Sequence, residues 1–526
     1  MAWNRRRGMG LATLVAAVIV SGCSNDSVNL PNTGEGPNAT PGGQVAEADP
    51  VTLKWMLGGP GKQQDSDRVW AEFNERLQAY LPNTTVEFEI VPFSEYRERW
   101  QLMSASQERV DLAWHGYVMP LADEVSKGAY LPLNELINEH APELLETIPQ
   151  WVFDLVTFDG DIYAVPNYQQ MTDLRLGMRT PKELADEFLD KEKAEEIFFA
   201  REATPLDQAS YDVLSEYFEK LKQAGRIQKG VSDAIWTDHN KGIILANPYV
   251  IPFDDKTYTV SLADELPERI LQQQVAREWF QKGYVREDIL SNTNRRQDEG
   301  KPDGYIAYFH ENFEGQSLRE SGKRGFPVEV VAMQKEFQIS RLNSATNTAI
   351  ARQSKHPDRA MQLLSLIQSE EGKELYRLLV NGIEGEHYTV VSENRIELTD
   401  FGETQDTAQH PYSLPKWVVG NTFNAYETQF DEEGWNDYVL ELHETATIHL
   451  LVGFQPDLES VRTELAQISA INQEYLLTEY STRPLDEIRA EKVDRIERAG
   501  GNRVKELLQE QVDAFLAEKG INKSDG

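Results

Sequence analysis

Two kinds of side chain in this sequence could do chemistry together. Trp114, Tyr168, Trp236, Tyr308, Trp417 and Phe423 offer flat aromatic faces, and Gln169, Gln170, His310, Glu311, Asn312 and Asn421 offer polar groups. An aromatic face covers the C–H side of a pyranose ring, and planar polar groups bond its hydroxyls. The set therefore suits non-covalent recognition of a polyhydroxylated ligand. Each residue also has a plainer reading: Trp236 or Trp417 alone can fill a core, and His310 can satisfy a turn.

Signatures of covalent chemistry are missing. The sequence contains no H-E-x-x-H, G-x-S-x-G or G-x-x-x-x-G-K-[ST] string. With 87 acidic residues, some carboxylate pair always resembles a glycosidase site, so that signal carries no weight. Asp159-Gly160-Asp161 lacks the remaining positions of a calcium loop and fits a hairpin turn instead. The single cysteine, Cys23, excludes intrachain disulfides and cysteine metal clusters. Catalytic residues, metals and cofactors are thus expected to be none. The formal net charge of −35 repels phosphate backbones, which argues against nucleic acid.

The start of the chain carries its own chemistry. Arg5, Arg6 and Arg7 precede an apolar run from Leu11 to Val20, too short to span a bilayer stably, as in a secretory signal. The run ends in Val20-Ser21-Gly22-Cys23, which is similar to a bacterial lipobox. The expectation is a signal peptide over residues 1–22, lipid on Cys23, and a flexible tether over 23–50, rich in Asn, Pro, Gly, Ser and Thr.

The elements behind these residues read as α/β. A chain of 526 residues exceeds one ordinary core, so two lobes are expected. Val51–Leu57, the alternating Val86, Phe88 and Ile90, and Val110–Trp114 read as strands. Between them lie a helix with Val69, Trp70, Phe73, Leu77 and Tyr80 on one face and a helix with Tyr96, Trp100 and Met103. That alternation implies a parallel, doubly wound sheet, whose ligands bind beyond the carboxyl ends of the strands, here the loops 58–64 and 114–117. Later, Asp159-Gly160 predicts a tight turn, and Ile162–Val165 a short strand stopped by Pro166.

Gly128-Ala129-Tyr130-Leu131-Pro132-Leu133-Asn134-Glu135-Leu136, followed by Phe158 to Pro166, resembles the G-x-x-x-P-L-x-x-L … D-G-x-I-Y-A-V-P pattern of bacterial extracellular solute-binding proteins of family 1, the receptors of ABC importers. Gly382 to Tyr388, and Val452 to Asp457 with Val461, Glu464, Leu465 and Tyr475, resemble a lipoprotein subgroup that ends in an extra helical domain and serves oligosaccharide importers. Gln455-Pro456-Asp457 departs from that subgroup, where an aromatic and Asp follow Gly-Phe.

The resemblance implies a two-lobed, periplasmic-binding-protein-like α/β fold with doubly wound sheets, hinge crossings and a helical C-terminal extension. It divides the chain into lobe 1 (51–166 and about 328–390), lobe 2 (167–327 and about 391–440) and a C-terminal helical region (about 441–526). Val328–Met333 is then the return crossing, and Arg175 and Arg179 are solvated surface residues. The implied function is a lipid-anchored, extracytoplasmic, monomeric receptor that hands an oligosaccharide to ABC permease subunits. The implied ligand contacts are Trp114, Tyr168, Gln169, Trp236, His310, Glu311 and Trp417. A surface-tethered glycoside hydrolase and a ligand-sensing signalling subunit are the alternative readings.

Overall fold

The first hydrophobic cluster grows from the strand–helix alternation. In the computed structural model β1 (Val51–Gly59) pairs in parallel with β2 (Thr84–Pro92) and β3 (Leu112–His115). The structure describes residues 49–171, 175–200, 206–227, 229–231, 243–252, 255–291, 306–312, 316–334, 338–339, 346–399 and 411–521. Helix α1 (Ser66–Leu77) buries Val69, Phe73 and Leu77, as the spacing requires. Tyr80 lies past its last turn and is exposed. Helix α2 (Tyr96–Ser106) buries Tyr96, Trp100 and Met103. The strand Asn347–Ile350 enters antiparallel between β3 and Val165–Pro166, completing a five-stranded sheet.

The two motifs that carry the resemblance lock onto each other. Thr157–Phe158 pairs with Asp161–Ile162 across a two-residue turn in which Asp159 and Gly160 both have positive φ, 52° and 85°. That is the type I′ geometry Asp-Gly favours. Asn134 then accepts from Ile162 N through Oδ1 (2.9 Å) and donates to the Gly160 carbonyl through Nδ2 (3.3 Å). Leu133 N donates to the Ile162 carbonyl at 2.7 Å. The hairpin therefore sits on the Pro-Leu-Asn turn, and Val165–Pro166 is delivered to the sheet edge.

The three-stranded sheet of the second cluster is not wound in parallel with its sequence neighbours as the first is. In the second cluster Arg175–Pro181 pairs antiparallel with both Tyr308–Asn312 and Val328–Ala332. The two outer strands are thus parallel to each other, joined through the helix Gln316–Arg324. Val328–Ala332, read as the return crossing, is a strand of this second sheet, and the chain rejoins the first sheet only at Asn347. Arg179 is not a solvated residue either. It is buried and pairs with Glu320 at 3.1 Å, with Arg324 on the same carboxylate at 3.1 Å. The Arg175 side chain lies outside the described residues.

Residues 411–425, within the stretch expected in the second lobe, supply Tyr412, Leu414, Val418, Val419 and Ala425 to the first core. A third core joins the strands Ile243–Ala246, Tyr249–Ile251 and Ser261–Leu262 to the C-terminal helices Arg462–Glu474, Leu485–Arg498 and Gly501–Glu518. Tyr249 hydroxyl donates to the Gly501 carbonyl at 2.9 Å, and Lys492 pairs with Asp264 at 2.6 Å. The departing loop has definite contacts: Gln455 Nε2 donates to the Leu155 carbonyl (3.4 Å), and Asp457 N to Gln511 Oε1 (2.7 Å).

Candidate functional site

The carboxyl ends of β2 and β3 each deliver an aromatic ring to one edge of the first sheet. Phe93 follows β2 directly, and Tyr117 follows β3 at the tip of the turn Gly116–Met119. Trp417 joins them from the short 3-10 turn Lys416–Val418. Phe93 stacks on Trp417 with centroids 5.3 Å apart and planes 16° apart. Tyr117 lies 5.7 Å from Phe93 and 6.4 Å from Trp417. Tyr117 is 70% exposed, so the group ends in a solvent-facing shelf.

The turns that carry Tyr117 and Trp417 are held by identifiable bonds. The Tyr117 turn closes through Met119 N to the Gly116 carbonyl at 3.0 Å, and Arg97 Nε donates to the Val118 carbonyl at 3.0 Å. His115, wholly buried, braces the same turn: Nδ1 meets the Met119 carbonyl at 3.0 Å and Nε2 the Tyr130 hydroxyl at 2.7 Å. A carbonyl only accepts, so Nδ1 carries the proton and Tyr130 donates to Nε2. Burial pushes the His115 imidazolium down to about 4. On the other side, the Trp417 carbonyl accepts from Thr346 Oγ1 (2.6 Å) and Gln169 Nε2 (3.2 Å). Asn167 Nδ2 donates to the Val418 carbonyl at 2.7 Å. The shelf is therefore bonded to both segments, 167–169 and 346, that lead between the cores.

The residues proposed from sequence fall into three groups. Trp417 stands on the shelf. Trp114 is buried beneath it, 5.5 Å from Phe93 and 6.2 Å from Trp417, and edge-on to Tyr96 at 5.2 Å. Tyr168 is also buried, against Phe423 and His443, and Gln169 Nε2 donates to the Asn167 carbonyl, Thr346 Oγ1 and the Trp417 carbonyl. His310 and Glu311 belong to the strand Tyr308–Asn312 rather than to a turn after it. Their side chains, and all of Trp236, lie outside the described residues. Tyr117 ends the loop 114–117 that the sequence marked, without being singled out there, and Phe93 follows the second strand, outside both marked loops; its place at a strand's carboxyl end was the available signal.

Glycine makes the shelf possible. A Cβ on Gly58 would lie 2.8 Å from both Phe93 and Trp114, and one on Gly116 would lie 2.4 Å from Trp114. Gly58→Ala is therefore expected to lower stability by about 1–3 kcal/mol through overpacking, and to weaken ligand binding by displacing Phe93. Thermal unfolding and a ligand titration check this; parent values in both would contradict the assigned packing.

The shelf can hold a flat apolar face but carries no evident acid–base pair. Burial alone would raise the Asp431 carboxyl near Trp417, yet Lys416 and Arg319 outweigh it and hold the group at about 2. It stays ionised and paired, which does not suit a general acid. Among the described residues no cluster of three His, Cys, Asp or Glu side chains could hold a metal ion, and no helix is long and apolar enough to cross a membrane.

Two α/β lobes, joined by connecting segments that carry an aromatic shelf at the carboxyl edge of one sheet, define a periplasmic-binding-protein-like fold. Comparison with solved structures agrees. The N-glycan transport solute binding protein NgtS of Streptococcus pneumoniae superposes with a TM-score of 0.73 at 18% identity, covering 90% of this chain and 100% of that one. NgtS in complex with Man1GlcNAc gives 0.66 at 18% identity, covering 89% and 99%. The S. pneumoniae ABC-transporter substrate binding protein FusA in complex with kestose gives 0.56 at 13% identity, covering 89% and 100%. A family described as a domain of unknown function (DUF3502) matches residues 450–517, the stretch that holds the C-terminal helices of the third core. No curated protein sequence matches the chain.

Proposed function

We propose that the chain is an extracytoplasmic substrate-binding protein of an ABC importer, which captures an oligosaccharide by hinge closure and delivers it unchanged to a membrane permease. The observation that carries this reading is the shelf of Phe93, Tyr117 and Trp417, bonded to the hinge segments of a fold shared with solute and substrate binding proteins in complex with Man1GlcNAc and with kestose. A sugar ring stacked on the shelf meets the second lobe only when the lobes close, so its extra contacts favour the closed form. His310, Glu311 and Trp236 are the second-lobe candidates offered by sequence alone. In the same proposal residues 1–22 are a signal peptide, Cys23 carries the lipid, residues 23–50 form the tether, and the receptor is a monomer.

A thermal-shift screen of residues 49–526, which contain all three cores, against a panel of oligosaccharides tests this. The panel spans mannose- and N-acetylglucosamine-containing glycans, fructans, and plant and algal glycans. Ligand at about 100 times its Kd adds about 2.7 kcal/mol of stability. A shift with one class, and that glycan recovered intact, supports the receptor. Cleaved glycan, or no shift with any class, would overturn it.

A further inference from the structure

The two lobes touch away from the hinge strands, through one face of the helix Gln316–Arg324. This helix belongs to the second lobe: Ser317 Oγ accepts from Val330 N at 3.0 Å, and Ser321 Oγ from Val328 N at 2.9 Å. Its partner, the segment 428–435, belongs to the first. Glu427 N donates to the Asn394 carbonyl (2.9 Å), Asn394 Oδ1 accepts from Arg377 (2.9 Å), and Arg377 lies on a helix of the first core. Across this seam Arg319 forms an ion pair with Asp431 and covers the Trp435 ring, 5.0 Å from its centroid. One helical turn on, Gly322 lies so close to Phe430 that a Cβ there would overlap the ring. Arg319 and Gly322 are three residues apart and share a face, so the contact is a specific seat.

Asp431 has a second cation within reach. Lys416 Nζ stands 4.0 Å from Asp431 Oδ2, is itself buried, and has no hydrogen-bond partner. Asp431 Oδ2 is meanwhile held by Thr428 N (3.0 Å) and Thr428 Oγ1 (3.1 Å), and Arg395 donates to the Asp431 carbonyl at 2.6 Å. The carboxylate is thus fixed to the first lobe while its cations differ in origin. Arg319 travels with the second lobe, whereas Lys416 stays with the first and immediately precedes the shelf residue Trp417. Breaking a buried ion pair is costly when one charge is left alone, and cheap when a replacement is already in place.

We propose that Asp431 is a partner-exchange point between the lobes. Arg319 holds it in the arrangement seen here, and Lys416 takes it over when the second lobe moves away. Arg319 and Lys416 are then positioning residues. They set how freely the lobes move, and the exchange pulls on the residue next to Trp417 as it happens.

The test needs no ligand, so its failure is distinguishable from failure of the receptor reading. Residues 49–526 contain no cysteine, so Glu75→Cys on the first lobe and Asp212→Cys on the second accept a spin-label pair cleanly. Arg319→Ala is expected to broaden the inter-lobe distance distribution or add a second population. Superimposable distributions would overturn the proposal. Melting temperatures carry the second arm. Lys416 replaces Arg319 in Arg319→Ala, and Arg319 remains in Lys416→Met, so each single loss is modest. The double variant leaves the Asp431 carboxylate with Thr428 but without either cation, and should lose more than the sum of the two. A strictly additive double variant would overturn the exchange. If Arg319→Ala does not fold, Arg319→Gln enters the same two comparisons.

Discussion

Trp417→Ala is expected to weaken oligosaccharide binding by roughly 30-fold or more, the loss of about 2 kcal/mol typical of a central aromatic anchor. Trp417 is the shelf ring that is stacked on Phe93 and bonded through its own carbonyl to Thr346 and Gln169. The backbone bonds survive in the alanine variant, so the loss reports the ring face. Tyr117→Ala is the companion variant. The Tyr117 side chain is largely exposed, so its removal should leave stability within about 0.5 kcal/mol while still reducing affinity. Isothermal titration with whichever glycan the screen identifies reads both. Parent affinity in both variants would move the binding site off the shelf.

Acid should destabilise the protein steeply between pH 6.5 and pH 4. His115 and His443 are both buried, and burial lowers each to about 4 from an ordinary 6.5. Their bonds need the neutral ring: Met171 N donates to His443 Nε2 at 2.9 Å, and Tyr130 donates to His115 Nε2. Above pH 6.5 neither the folded nor the unfolded chain binds these protons, so the groups contribute nothing to the slope. Between 6.5 and 4 only the unfolded chain takes them up, and stability falls by about 1.4 kcal/mol per pH unit for each histidine. Below about 4 both states are protonated and the loss levels off, at about 3 kcal/mol per histidine. Asp431, held at about 2, adds a separate loss below its ordinary 3.8. Urea unfolding across this pH range reads the slope, and His443→Gln should reduce it by the single-histidine amount. An unchanged slope would mean that the imidazole does not stay neutral in the fold. His115 braces the Tyr117 turn and stays neutral in the folded chain until about pH 4, so ligand affinity should hold across this window and decline only as the pH falls through about 4.

What the sequence determined by itself was local. The Asp159-Gly160 turn was legible because two adjacent positive φ angles demand those residues. The helix Ser66–Leu77 and the strands around it were legible because their apolar residues repeat at 3.6 and 2. The carboxyl edge of the first sheet, where ligands of such sheets bind, was legible from strand–helix alternation, since it is a property of parallel sheets rather than of any one residue.

Only the tertiary structure decided which rings reach solvent. Trp114 and Trp417 are the same residue type, yet one lies under the shelf and the other on it, because Gly58 and Gly116 let neighbouring chain close over Trp114. Gln169 Nε2 donates to Thr346 Oγ1 and to the Trp417 carbonyl, partners far away in sequence that periodicity could not name. The antiparallel second sheet, the passage of residues 411–425 back to the first core, and the strands 243–262 completing the C-terminal helices are likewise long-range pairings. Periodicity shows which face of an element is apolar. It does not show which distant element covers that face, and both the shelf and the seam at Asp431 are made by that choice.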